Sequence, residues 1–168
     1  PLHVTFVKNP IFDQTNYIYS IYCAREFLRD DDILLMHGDL VFENHVLESV
    51  LDSTESCMVV SSTLPLPDKD FKAVVKDGKI EKVGIEFFED AMAAQPLYKL
   101  NKEDWIVWLD NIGKYCESDN CKCYAEKALN EVTGRCQLVP CDVSDMLCAE
   151  IDTPEDLEII KKTLKNIV

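Results

Sequence analysis

The stretch Ile33-Leu34-Leu35-Met36-His37-Gly38-Asp39-Leu40 is an apolar run that ends on Gly-Asp. Four consecutive large apolar side chains read as a strand buried on both faces, the habit of parallel strands covered by helices above and below. The carboxylate of Asp39 then stands at the carboxyl end of that strand, where open α/β sheets form their ligand crevices. Gly38 lets another backbone or a ligand approach closely. Upstream, residues 4–7 read as a short strand ended by the turn signal Asn9-Pro10. Thr15 can cap a helix running to about residue 28, with Ile18, Tyr22, Cys23 and Phe27 along one side. Downstream, residues 43–51 read as a helix with Val46, Leu47, Val50 and Leu51 as its apolar side, and residues 57–61 as a second buried strand. This β-α-β-α-β order predicts an α/β fold, with a Rossmann-like, mainly parallel sheet and helices on both faces.

Past residue 61 the pattern changes. Residues 71–76, the pair Asp77-Gly78 and residues 79–83 have the signature of a β-hairpin closed by a two-residue turn. Residues 103–115 are amphipathic, and Trp105 and Trp108 at helical spacing read as core. A shorter helix is expected over 124–132, with Gly134 marking its end. Strands are expected at 137–139 and 147–151. The second leads into Thr153-Pro154-Glu155-Asp156, where Thr is an N-cap, Pro the first helical residue, and the acids complement the helix dipole. With no repeat, low-complexity stretch or linker in view, residues 1–168 read as one domain.

Composition narrows the chemistry. Asp and Glu outnumber Lys and Arg by 31 to 17, a net charge of −14. A field of that sign repels nucleic-acid backbones. A small phosphorylated substrate remains compatible, because a divalent cation reverses the local charge. No apolar run approaches the roughly 20 residues needed to span a bilayer, and residues 1–7 lack the basic start of a signal peptide. A cytoplasmic protein is therefore expected, with its eight cysteines mostly as reduced thiols. None of them has C-x-x-C spacing; Cys57 and Cys148 sit in apolar runs, and Cys116, Cys121 and Cys123 cluster in a polar loop. Leu147-Cys148-Ala149-Glu150-Ile151-Asp152 again carries carboxylates out of an apolar strand. Because Thr153 already supplies the cap, Asp152 is free for another role. Two carboxylates from distant strand ends suit Mg²⁺, which takes one or two protein carboxylates plus substrate phosphates.

Four motifs stand in order: Asn9-Pro10-Ile11-Phe12-Asp13-Gln14-Thr15-Asn16-Tyr17, then Gly38-Asp39, then Tyr124-Ala125-Glu126, then Glu150-Ile151-Asp152-Thr153-Pro154-Glu155-Asp156-Leu157. Together they resemble the nucleotidyltransferase family that includes choline-phosphate and aminoethylphosphonate cytidylyltransferases and, more distantly, sugar-1-phosphate nucleotidyltransferases. The resemblance covers nearly the whole chain. It implies Mg²⁺-dependent transfer of a nucleotidyl group, cytidylyl first, from CTP or another NTP to a small phosphorylated acceptor such as phosphocholine or aminoethylphosphonate, with pyrophosphate released. It implies Asp39 and Asp152 as metal ligands, Thr15, Asn16 and Gly38 beside the nucleotide, and Tyr124 and Glu126 in the acceptor pocket. An aromatic face beside a carboxylate is what a cationic amine needs. The family's N-terminal strand and glycine-rich loop have no counterpart: the five glycines are scattered. The chain thus reads as the C-terminal two-thirds of the family fold, short of the triphosphate grip and inactive on its own. Homo-oligomers are compatible with this reading. Its rivals are a sugar-1-phosphate nucleotidyltransferase, a glycosyltransferase (disfavoured by Gly38-Asp39-Leu40 in place of Asp-x-Asp) and a non-catalytic domain that kept the fold.

Overall fold

The computed structural model describes residues 3–167. In chain order its elements are α1 (Tyr17–Ala24), a 3₁₀ turn (Arg25–Phe27), β1 (Ile33–Met36), β2 (Leu40–Phe42), α2 (Asn44–Asp52), β3 (Cys57–Ser61), β4 (Lys72–Lys76), β5 (Lys79–Gly84), β6 (Ala91–Leu100), α3 (Lys102–Glu117), α4 (Ala125–Asn130), β7 (Val139–Asp142), β8 (Cys148–Glu150) and α5 (Pro154–Ile167). Six strands form one sheet in the order β5-β4-β6-β3-β7, with β1 also on β6, while β2 and β8 form a separate two-stranded ribbon.

The α/β class holds, and so do helices on both faces. β3 shows why: it is buried along its whole length, and its side chains alternate between two cores. Met58 and Val60 join Ile18, Trp105, Trp108 and Leu129 on the face covered by α1, α3 and α4. Cys57 and Val59 join Val46 and Val50 of α2 on the other. Both tryptophans are fully buried, and each indole N–H finds a carbonyl, Trp105 on Leu28 at 2.7 Å and Trp108 on Ala125 at 3.0 Å. The hairpin is also as expected, with Asp77 and Gly78 both at positive φ (50° and 75°), the conformation a tight two-residue turn demands.

The mainly parallel sheet is corrected. Among the described strands only β3 and β7 pair in parallel; the pairings of β6 with β1, β3 and β4, and of β4 with β5, are antiparallel. The cause is β6, which lies between β1 and β3. Those two strands still run in the same direction, but each bonds to β6 instead of to the other. The apolar pattern of β6 is broken by Gln95, Pro96 and Lys99, which hides it in the sequence. It tolerates Pro96 because the register slips there, from Met58↔Tyr98 to Val60↔Ala94, so the missing N–H falls on an irregular step of the ladder.

Three local expectations also change. β1 is half-buried on one face and exposed on the other, with Leu34 40% and Met36 51% exposed. Residues 4–7 form no strand, and Phe6 is 93% exposed; no described strand runs alongside to take their hydrogen bonds. The N-cap of α1 is Asn16, whose side chain accepts from the Tyr17 amide at 2.7 Å, rather than Thr15, whose hydroxyl donates to the Ile11 carbonyl at 3.0 Å. At α5 the cap is as read: Thr153 Oγ1 accepts from the Asp156 amide, and the Asp156 carboxylate accepts from the Thr153 amide, a reciprocal pair.

Candidate active site

The β2–β8 ribbon brings the two carboxylate motifs together. Its antiparallel register sets Leu40 opposite Glu150, and the Ile151 amide donates to the Asp39 carbonyl at 3.0 Å. His37 and Asp39 flank the turn between β1 and β2, and Glu150 ends β8 two residues before Asp152. One ligand atom each from His37, Asp39 and Glu150 lies within 4.8 Å of the others. Asp39 and Asp152 line a single cavity of about 200 Å³, with His37, Asp70, Tyr124 and Glu150 around them. Sequence reasoning paired Asp39 with Asp152 through parallel strand ends; an antiparallel ribbon does it.

The cavity is strongly acidic. Burial, then the charges of Glu150, Asp39 and Asp156, raise the Asp152 carboxyl above its ordinary range, with His37 opposing. Asp70 is raised by burial and then by Glu150, Asp152 and Asp156, with Lys72 opposing. Burial works against a charged His37, but its hydrogen bond to Glu150 and the charges of Glu126, Glu150 and Asp39 outweigh that and raise its pKa. Lys69 is the lysine in the lining. Lys72, fully buried in β4, donates to the Pro67 carbonyl and sits 4.3 Å from the centre of the Phe88 ring. It thereby ties down the loop whose end, Lys69, Asp70 and Phe71, walls the cavity. Hard oxygen donors crowded without a matching cation fit a divalent ion.

Behind this wall lies Glu126, only 1% exposed. Its Oε1 accepts the hydroxyls of Tyr17 (2.6 Å) and Tyr98 (2.7 Å), while Oε2 is buried with no partner among the described residues. Burial raises its pKa, and the two tyrosine bonds pull it back down. Tyr124 is 41% exposed and packs edge-on to Phe71 at 5.1 Å. The two aromatics lie between the first cavity and a second one of about 210 Å³ that Glu126 also lines. Glu126 and Tyr124 are therefore near one another but not a solvent-edge pair.

The other candidates stand apart. Thr15 and Asn16 are engaged in the turn and cap of α1, and neither lines the cavity. Gly38 lies beside it, and an added Cβ would meet no atom within 4 Å, so the protein itself does not require glycine there. His37, Glu150 and Asp70 were missed as site residues. For Glu150 a signal was present, since Glu-x-Asp at a strand end sets two carboxylates two residues apart. All eight cysteines are unpaired, and Cys116 and Cys121 are buried, not displayed on a polar loop. Among the described residues no helix is long and apolar enough to cross a membrane.

No family model matches the chain. It is 27% identical over 170 residues to a CMP-5'-(3-aminopropyl)phosphonate synthase from Streptomyces rubellomurinus, a match that takes in 92% of this chain and 26% of that protein. The chain thus spans about a quarter of the length of that relative. Two solved structures are similar in fold. The inositol-1-phosphate CTP transferase from T. maritima superposes with a TM-score of 0.68 at 21% identity, over 88% of this chain and 60% of that one. The CTP:phosphocholine cytidylyltransferase from Streptococcus pneumoniae superposes with a TM-score of 0.69 at 14% identity, over 93% and 67%. The chain thus shares the fold of these nucleotidyltransferases, and its sequence is similar to part of a CMP-phosphonate synthase.

Proposed function

We propose that the chain takes part in Mg²⁺-dependent transfer of a cytidylyl group from CTP to a small acceptor that carries a phosphate or phosphonate at one end and an amine at the other. The observation that carries this reading is the ribbon that sets Asp39 and Asp152 on one cavity with Tyr124. An acceptor oxygen attacks the α-phosphorus of CTP in line, the bond to the β-phosphate breaks, and pyrophosphate leaves. Such a reaction needs positioning and charge neutralisation more than covalent help. Asp39 and Asp152, with Glu150 beside them, would hold the ion, and a bound divalent ion supplies neutralisation of the phosphate oxygens. Tyr124 offers an aromatic face to the amine, and the buried carboxyl group of Glu126 lies behind it. The name of the S. rubellomurinus relative, with an aminopropyl phosphonate in it, supports an amine-bearing acceptor over a sugar phosphate.

With five scattered glycines the chain has no glycine-rich loop, so the chain alone is expected to release pyrophosphate at close to background. Loss of one electrostatic element of that kind costs roughly a hundred- to a thousandfold. Binding is the direct test. Calorimetric titration with Mg²⁺ present should rank 3-aminopropylphosphonate and phosphocholine above glucose 1-phosphate. Preference for the sugar phosphate would reject the acceptor assignment, and brisk pyrophosphate release from CTP by the chain alone would reject the reading of the missing loop.

A further inference from the structure

His37 has no role in the reading above, and its surroundings are those of a metal ligand. Its Nδ1 lies on the carboxylate side, 3.1 Å from Glu150 Oε1, within the 4.8 Å cluster that includes Asp39. The ring is held edge-on between Tyr17 at 4.7 Å and Phe71 at 6.2 Å. Its other nitrogen, Nε2, is buried and unpartnered among the described residues, as is Oε2 of Glu126. Tyr17 links the two residues, packing against the His37 ring while its hydroxyl bonds to Glu126 Oε1. A histidine that binds a metal through one nitrogen generally gives the other N–H to a carboxylate or carbonyl behind it, which fixes ring and tautomer.

We propose that His37 is a nitrogen ligand of this metal site, with Nδ1 toward the ion beside Asp39 and Glu150 and Nε2–H turned toward Glu126 as its positioning carboxylate. The inference rests on the metal-site reading above and extends it to the choice of ion. Mg²⁺ favours an all-oxygen shell, whereas imidazole favours later divalent metals. The site therefore holds Mn²⁺, and Co²⁺ or Zn²⁺ more so, in preference to Mg²⁺, although Mg²⁺ still binds through the carboxylates.

The test is electron paramagnetic resonance of Mn²⁺ titrated into the 168-residue chain, with Mg²⁺ as competitor. Mn²⁺ is expected to bind at least about tenfold more tightly than Mg²⁺, and the bound ion should show a nitrogen coupling in its spin-echo modulation. In His37→Asn that coupling should vanish and most of the preference with it. In Glu126→Gln the coupling should persist while Mn²⁺ affinity falls by about tenfold. If His37→Asn fails to fold, labelling the histidines of the unaltered chain with ¹⁵N decides whether the coupled nitrogen belongs to histidine. Bound Mn²⁺ without nitrogen coupling, or coupling unchanged in His37→Asn, overturns the proposal and leaves the Asp39–Asp152 reading standing. Nitrogen-coupled Mn²⁺ in a chain that never binds CTP would uphold the ligand assignment and reject the nucleotidyl-transfer reading. Failure to bind Mn²⁺ at all overturns both.

Discussion

Two kinds of carboxylate lie near His37, and they are built on opposite terms. Asp39, Asp70, Glu150 and Asp152 line an open cavity where burial and then Glu150 raise the pKa of Asp70 and Asp152, and only Lys69 joins them as a lysine. Glu126 is sealed in the core and held at one oxygen by two tyrosine hydroxyls. The open group is unfavourable for the bare chain and is relieved by a cation from outside. The sealed one is supported from inside and belongs to the fold as much as to the site. Charges that repel in the free protein mark where a ligand is expected; a carboxyl group held at one oxygen by two hydroxyls is tied to the scaffold.

That contrast can be broken by substitution. The largest expected effect is on metal affinity: Asp39→Asn or Asp152→Asn should weaken Mn²⁺ binding by on the order of a hundredfold. The same changes should leave stability equal or slightly higher, because they remove like-charge repulsion. A loss of stability with metal affinity intact, seen by denaturation and Mn²⁺ titration together, would reverse the assignment. Glu126→Ala should do the opposite, destabilising the chain by about 2–4 kcal/mol in urea denaturation, since it strands two buried hydroxyls and opens a cavity.

A smaller effect concerns pH. Burial holds the Glu126 pKa above its unfolded value, against its tyrosine bonds. A carboxyl raised on folding binds its proton more tightly when folded. Its contribution is therefore complete below the unfolded pKa and lost as pH rises through the folded one. Glu126→Gln should flatten the fall in Tm as pH rises above about 4.5, by on the order of 2–4 °C. A slope unchanged by the substitution would show that other groups carry it. The smallest expected change is at the cavity wall: Tyr124→Ala should weaken 3-aminopropylphosphonate binding by a few-fold, in line with loss of one partly exposed cation–π contact, and leave Mn²⁺ affinity unchanged.

Much of this arrangement was legible in the residues, and what was not has a physical cause. The apolar runs ending in Gly38-Asp39 and in Glu150-Ile151-Asp152 marked the site because each carries a carboxylate out of the end of an apolar strand, where ligand crevices form. How they meet was not legible. The ribbon of β2 and β8 consists of two three-residue strands, too short for periodicity to reveal. Ala91–Leu100 escaped notice because Pro96 and Lys99 disguise a central strand, and with it went the direction of the sheet. Glu126 was read as a site residue from its motif, but its burial depends on Tyr17 and Tyr98, which are 109 and 28 residues away in sequence. His37 stood inside the quoted stretch and was passed over, since a lone histidine at a strand end signals little until Glu150 is beside it.

The central claim is that Asp39 and Asp152 hold one divalent ion on which CTP binding depends. The most direct measurement is calorimetric titration of CTP into the chain with Mg²⁺, with a chelator, and with Mg²⁺ in the Asp39→Asn and Asp152→Asn variants. CTP should bind measurably only with the ion, and each variant alone should abolish most of that dependence. CTP binding of equal strength with and without the ion, or unchanged in both variants, would contradict the account.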